Sequence, residues 1–299
     1  MGRAWLVAAA CVQFLASAPG AAQAVQDKPP ASYIVTFSSV THGRDIPSQS
    51  SDAVTTIRVR AGLARIDYPA DQIVWMLPGA YYLYDARRDR GTYVLPTQKA
   101  FVVLDSVAIH KSVATAMGGM HPRFTAVIAF RDSLGAGETI EGFTSQKFRI
   151  GMGFGMQPDR NEVSIDARIE TETESHVSVA ITALDPGFSA FVRSVNAENG
   201  GGSGAAMFGS DTAMQRAIAM TKPARGFPIV HNSVIRTITM DDTSTVTTSI
   251  RMTSFKRAFV KPDDLVVPKD YRAIDMAGLA RMQREMFQPG RGVMPPQRP

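Results

Sequence analysis

Apolar and polar residues alternate one for one through most of this 299-residue chain. A period of two puts every second side chain on the same face of an extended strand. Runs of this kind bury one face only and read as antiparallel sheet. Tyr33, Val35 and Phe37 share a face, and Ile57 and Val59 oppose Arg58 and Arg60. Phe124, Ala126, Ile128 and Phe130 repeat the pattern, as do Val163, Ile165, Ala167 and Ile169 against Glu162, Ser164, Asp166, Arg168 and Glu170. Val177, Val179, Ile181 and Ala183 extend it, and Val246, Ile250 and Met252 oppose a Thr/Ser-rich face. Turn residues separate these runs at Ala61-Gly62, Pro78-Gly79, Arg87 to Gly91, Pro96-Thr97, Gly135 to Gly137, Pro158 to Asn161 and Asp241-Asp242. The expected fold is mainly β, an antiparallel meander of many strands.

Residues 79–105, GAYYLYDARRDRGTYVLPTQKAFVVLD, set tyrosines beside arginines and raise the question of nucleic-acid binding. Alternation places Tyr81 and Leu83 on one face and Tyr82 and Tyr84 on the other, with Arg87 to Gly91 as the tip of a hairpin. A base-stacking surface needs cations flanking aromatics on one face. The stretch therefore reads as sheet, where aromatics fit a pleated, half-buried surface. Further on, Phe148, Ile150, Met152, Phe154 and Met156 form an apolar face opposite Lys147, Arg149, Gly151, Gly153 and Gly155. Three glycines on one face permit curvature or close approach of another element. A phosphate loop would need a helix next, and MQPDRNE is a turn instead.

Helical patterns are few. Ser210 to Thr221 begins with capping residues, places Met214, Ala217 and Ile218 on one side, and stops before Pro223. It follows a glycine-rich loop, Asn199 to Gly209. Ser106 to Met117 and Pro186 to Ala197 are weaker helical candidates, and Asp275 is placed to cap a last helix carrying Leu279, Met282 and Met286.

The first residues, MGRAWLVAAACVQFLASAPGAAQA, combine Arg3, an apolar run over 5–17 and a small-x-small site at Ala22-Gln23-Ala24. This is the pattern of an export signal cleaved after Ala24, leaving a soluble chain in the periplasm or outside the cell with no membrane-spanning segment. A lipobox reading of Ala9-Ala10-Cys11 is weaker, since cleavage there leaves too short an apolar region. Cys11 is the only cysteine, so the mature chain is expected to have no disulfide, thiol nucleophile or thiolate metal site. The domains expected are a signal peptide over 1–24, a linker over 25–31, the β domain over 32–275, and a C-terminal helix and disordered basic tail over 276–299. The formal charge is +5, with cations concentrated near the end. An exported chain with that balance fits an anionic envelope surface better than nucleic acid, although a solvated basic tail is the simpler and favoured account.

The same residues carry no familiar catalytic or cofactor pattern. Five histidines (His42, His110, His121, His176 and His231) stand singly, without HExxH or HxH spacing. No GxSxG elbow appears, and Gly187-Phe188-Ser189-Ala190-Phe191 lacks the second glycine. Asp241-Asp242 and Asp263-Asp264 fall in turns, where aspartate bonds locally. No catalytic residue, cofactor or metal is expected.

Three segments together resemble a known family. They are LARIDYPADQIVWMLPGAYYLYDARRDRGTYVLPTQKAFVVLD (63–105), GETIEGFTSQKFRI (137–150), and residues 226–275 with a G-x-P strand and a closing hydrophobic-x-x-Pro-x-x-Tyr. The pattern is similar to that of exported bacterial proteins of unknown function related to the lipoprotein-localisation-factor (LolA/LolB-like) superfamily. The resemblance spans about residues 32–275, and its motifs are structural. It implies a curved, incomplete β-barrel with a few helices, one of them covering the concave face. Relatives carry lipoprotein acyl chains or sense envelope components. The leading expectation is thus a non-enzymatic binding protein that holds a lipid-like ligand or lipidated partner in an apolar cavity, with Trp75, Phe154, Met214 and Ile218 as its lining. An envelope interaction or sensor module stands second, and an exported hydrolase last.

Overall fold

A computed structural model describes residues 31–43, 53–68, 77, 79–88, 90–104, 123–157, 167–184, 188–189, 192, 211–221, 225–240 and 242–287. The leader, residues 25–30 of the linker, the candidate helix at 106–117, Trp75 and the chain beyond 287 lie outside the described residues.

Among the described residues, twelve strands form one mainly antiparallel, unclosed sheet, a curved and incomplete barrel. In chain order they are β1 (Ser32–Gly43), β2 (Ala53–Arg60), β3 (Leu63–Asp67), β4 (Tyr81–Asp85), β5 (Arg90–Leu95), β6 (Ala100–Leu104), β7 (Arg123–Ala136), β8 (Gln146–Gln157), β9 (Ala167–Ser178), β10 (Phe227–Thr239), β11 (Thr243–Arg257) and β12 (Arg272–Ala273). Their spatial order is β12-β6-β5-β4-β3-β2-β1-β11-β10-β9-β8-β7. The meander of β7 to β11 thus joins the meander of β1 to β6 through the β1–β11 pair. Only β12 runs parallel to its neighbour, β6. The α-helices whose full ranges are described are α1 (Val179–Thr182), α2 (Thr212–Met220) and α3 (Met276–Phe287).

Register assigns one face of the sheet as the inner one. Tyr33 pairs with Val59, Val59 with Ala64, and Ala64 with Tyr84, so these four point the same way. All are buried, and they belong to a cluster with Val35, Phe37, Met252 and Ile229. Phe188, fully buried, packs edge-on against Tyr33, Phe227 and Phe255 with ring centroids 5.8, 5.3 and 5.9 Å away. Such edge-to-face pairs add to the burial of the rings themselves. At the other end α3 covers the inner face, its Leu279 packed with Leu77, Tyr93, Leu95, Ala100 and Val102.

The chain after β11 covers the opposite, outer face of the same region. Val267 and Tyr271 pack on Tyr81, Leu83 and Val94. The segment then adds β12 beside β6 and enters α3 on the inner side. This segment therefore straps both faces of β4 to β6. Tyr81 and Leu83 do face away from Tyr82 and Tyr84, and all but Tyr82 are buried. The Arg65 guanidinium lies 3.7 Å over the Tyr81 ring. That ring is only 6% exposed, which leaves no room for a stacked base.

Two alternating runs depart from the simple pattern. Beyond Ser178 the chain leaves the sheet and turns into α1, because the neighbouring strand β10 begins at Phe227, opposite Ser178, and offers nothing further to pair with. Val179 is exposed while Ile181 is buried under the aromatic cluster. In β7 the register shifts between Thr125 and Ile128, with Ala126 at φ 49°. Phe124 therefore faces inward opposite Met156, whereas Ile128 and Phe130 face outward opposite Gly153 and Gly151. A second shift lies near Gly135. Bulges in an edge strand twist it away from pairing with other chains.

Candidate functional site

The two halves of the inner face differ in how closely they are covered. Val35, Val59, Ala64, Leu95 and Ala100 have no exposed surface. Across β8 to β11 the corresponding positions are mostly half-buried, and Ile235 is 41% exposed. Register arranges them in rows. Phe148, Ser175, His231, Ile250 and Ser39 form one; Ile150, Thr173, Ser233, Thr248 and Thr41 the next; Met152, Thr171, Ile235 and Val246 the third. Apolar side chains dominate on β8, and hydroxyls are interleaved on β9 to β11. The strands' period of two creates this surface, and the sheet's curvature makes it concave.

Phe154 lies at the end of this face, 5% exposed, and its ring meets Phe124 of the edge strand at 5.6 Å and 80°. Helix α2 packs along the same edge strand, β7. Its N-terminus is fixed by Asp211, whose carboxylate accepts the Met214 N–H at 2.9 Å. Met214 is fully buried, Ala217 nearly so, Ile218 half-buried, and Met220 faces solvent. Phe154, Met214 and Ile218 thus lie on β8 and on the helix that packs against its neighbour, while Trp75 lies outside the described residues.

His231 was not among the residues expected from sequence to line a site, although alternation from Ile229 would have placed it on the inner face. Burial pushes its imidazole pKa below the usual value. Its cross-strand partner Ser175 is buried, and the hydroxyl donates to the Val230 carbonyl at 3.3 Å. A serine bonded in that way is not activated by the imidazole, since nucleophilic catalysis needs the base to hold the hydroxyl proton.

The outer face of β8 to β11 carries a lattice of charges. Arg251 reaches Glu138 at 2.6 Å, Lys147 reaches Glu174 at 2.7 Å, and Arg149 reaches Asp132 at 2.9 Å. The bond from Arg251 holds the Glu138 carboxyl below its usual range, and Lys147 does the same for Glu174. Beneath them His176, 5% exposed, accepts the Glu138 N–H on Nδ1 at 3.3 Å. Its Nε2 lies 3.5 Å from Glu174 Oε1, too far and too poorly aligned for a sound hydrogen bond, so that nitrogen lacks a partner. The carboxylates are matched by cations and leave no surplus of either sign. Among the described residues no three His, Cys, Asp or Glu side chains converge to hold a metal ion. Nor is any described helix long and apolar enough to cross a membrane.

The arrangement offers an amphipathic concave surface with one imidazole and no described pairing of nucleophile and base or of two acids. No family model matches the chain, and no curated protein matches it.

Proposed function

We propose that this is an exported, non-catalytic binding protein that holds an apolar ligand, a lipid-like molecule or the acyl chain of a lipidated partner, against the inner face of β8 to β11. The observation that carries the reading is the contrast within one sheet. The inner face of β5 and β6 is buried under α3 and that of β1 to β4 under the aromatic cluster, whereas that of β8 to β11 keeps aliphatic and aromatic side chains half-buried. Concave apolar surfaces with a few polar groups are the usual form of small-molecule sites. Interleaved hydroxyls give a ligand's polar end somewhere to bond. The export expected from the leader, and the resemblance to carriers of acyl chains, agree with such a ligand.

Lipid extraction and mass spectrometry of the purified protein test it, together with a titration by an apolar fluorescent dye. A co-purifying lipid in near-stoichiometric amount is expected, with dye displaced by fatty acid. Ile235→Glu, at a position open enough to keep the charge hydrated, should reduce both by about tenfold, as burying part of a ligand against an unpaired charge costs more than 1.4 kcal/mol. Absence of lipid, and dye binding that Ile235→Glu leaves unchanged, would remove the inner face as a site.

A further inference from the structure

The chain that leaves β11 is fastened on both sides of one residue. The Ala258 N–H donates to the Ser32 carbonyl at 3.1 Å, and the Ser32 hydroxyl donates to the Ala258 carbonyl at 2.6 Å. The Val260 N–H donates back to that hydroxyl at 3.3 Å, and Arg60 Nη1 donates to the Val260 carbonyl at 2.6 Å. Val260 is 2% exposed. With its neighbours pinned inward, Phe259 is held outward and is 73% exposed. Its one described ring contact is the Arg60 guanidinium, 5.3 Å from the centroid. A phenyl ring on a fraying loop would need no explanation. A ring presented on a backbone fixed by four hydrogen bonds is a built feature of the surface.

What surrounds it is basic. Lys256 shares the outer face with Ile34 and Arg58 by register, and Lys261 follows the ring in sequence. Both are exposed, and neither side chain forms an ion pair or hydrogen bond among the described residues. Val266, 48% exposed, adds a second apolar side chain just after the Pro262–Leu265 turn. Asp263 and Asp264 in that turn offset part of the charge, and Asp270 is already taken by Lys99 at 2.9 Å. A projecting aromatic beside cations that pair with no described residue matches the layering of a bilayer surface, with phosphates above the acyl boundary.

We propose that Phe259 and its cations dock this protein on an anionic phospholipid surface. The ring enters the headgroup boundary, and Lys256 and Lys261 meet lipid phosphates. One aromatic or two cations alone bind weakly, and the two together give reversible attachment, as with other two-signal anchors. The site is distinct from the inner face, so docking and ligand binding are separable.

Co-sedimentation of the full chain with vesicles tests this, comparing phosphatidylcholine alone with vesicles containing about 30% phosphatidylglycerol, at low and high salt. Binding is expected to the anionic vesicles only and to be lost at high salt. Phe259→Ser should weaken it about tenfold, and Lys256→Gln with Lys261→Gln about 25-fold, taking roughly fivefold per cation near the surface. Both variants should melt like the wild type, since the positions are exposed. Ile235→Glu on the inner face should leave vesicle binding unchanged. The proposal is overturned if the wild type ignores anionic vesicles, or if both outer-face variants bind as it does. It is equally overturned if only Ile235→Glu abolishes binding, which would mean lipid uptake by the inner face. Retention by an acidic polypeptide resin but not by vesicles would assign the patch to a protein partner instead.

Discussion

Gly91 shows how closely one position can be fixed by its partner across the sheet. The Tyr82 ring from the neighbouring strand lies over it, and a Cβ built on Gly91 would fall inside the Tyr82 hydroxyl. Gly91→Ala should therefore cost about 1–3 kcal/mol in urea unfolding, the usual range for overpacking. Combining it with Tyr82→Leu should cost less than the sum of the two, because the clash is shared. Strict additivity in that cycle would mean the ring is not what excludes a side chain. Gly151 is filled in the same manner by Phe130, so the alternating glycines of β8 serve close packing of side chains.

His231 makes a prediction of a different kind. Its folded pKa lies below the unfolded value near 6.5, so the unfolded chain binds a proton that the folded one refuses. The stability present above that pH should decline as pH falls from about 7 to 5. His231→Asn should flatten the decline, as measured by urea midpoints at several pH values. An unchanged slope in the variant would assign the effect to another group.

Helix α2 illustrates what an amphipathic stripe does and does not reveal. Its limits follow from Asp211 and Pro223, and its buried residues include Met214, as the spacing predicts. Asp211→Ala removes a capping bond and should destabilise the protein by about 0.5–2 kcal/mol. Met214 and Ile218 should then separate. Met214→Asp places an unpaired carboxylate where no surface is exposed and should unfold the protein or strip its near-ultraviolet dichroism. Ile218→Asp, half-buried, should leave a folded chain. Equal tolerance of both would show that the helix lifts away as a lid. The end of β9 and the bulge in β7 were not legible from local pattern. Val179 to Ala183 alternate as well as any strand does, and what stops them is the absence of a partner beyond Phe227. Phe124 to Phe130 alternate too, and one positive φ at Ala126 reverses the face of everything after it.

In the assembled domain, the segment after β11 stabilises both faces of β4 to β6. Val267 and Tyr271 lie on the outer cluster, and Leu279 lies on the inner one. Truncation after Arg257 should lower stability by more than about 5 kcal/mol, at roughly 1.5–3 kcal/mol per large apolar side chain removed or uncovered. It should also raise binding of an apolar dye, and a truncated chain that melts with the full one would show the strap to be dispensable. Period-two alternation alone implies that this chain is mainly antiparallel sheet, that Tyr82 and Tyr84 oppose Tyr81 and Leu83, and that β8 has one apolar face. Those are properties of neighbours along a strand, and pleating alone dictates them. Alternation is silent on which strands meet. The Thr36 and Thr253 hydroxyls lie 3.1 Å apart although 217 residues separate them, and that β1–β11 pairing turns two meanders into one curved sheet. The same pairing decides which inner positions end under α3 and which remain half-covered, and it holds Phe259 outward from Ser32. Sequence determined the faces. The tertiary structure decided what covers them, because burial depends on contacts between residues far apart in the chain.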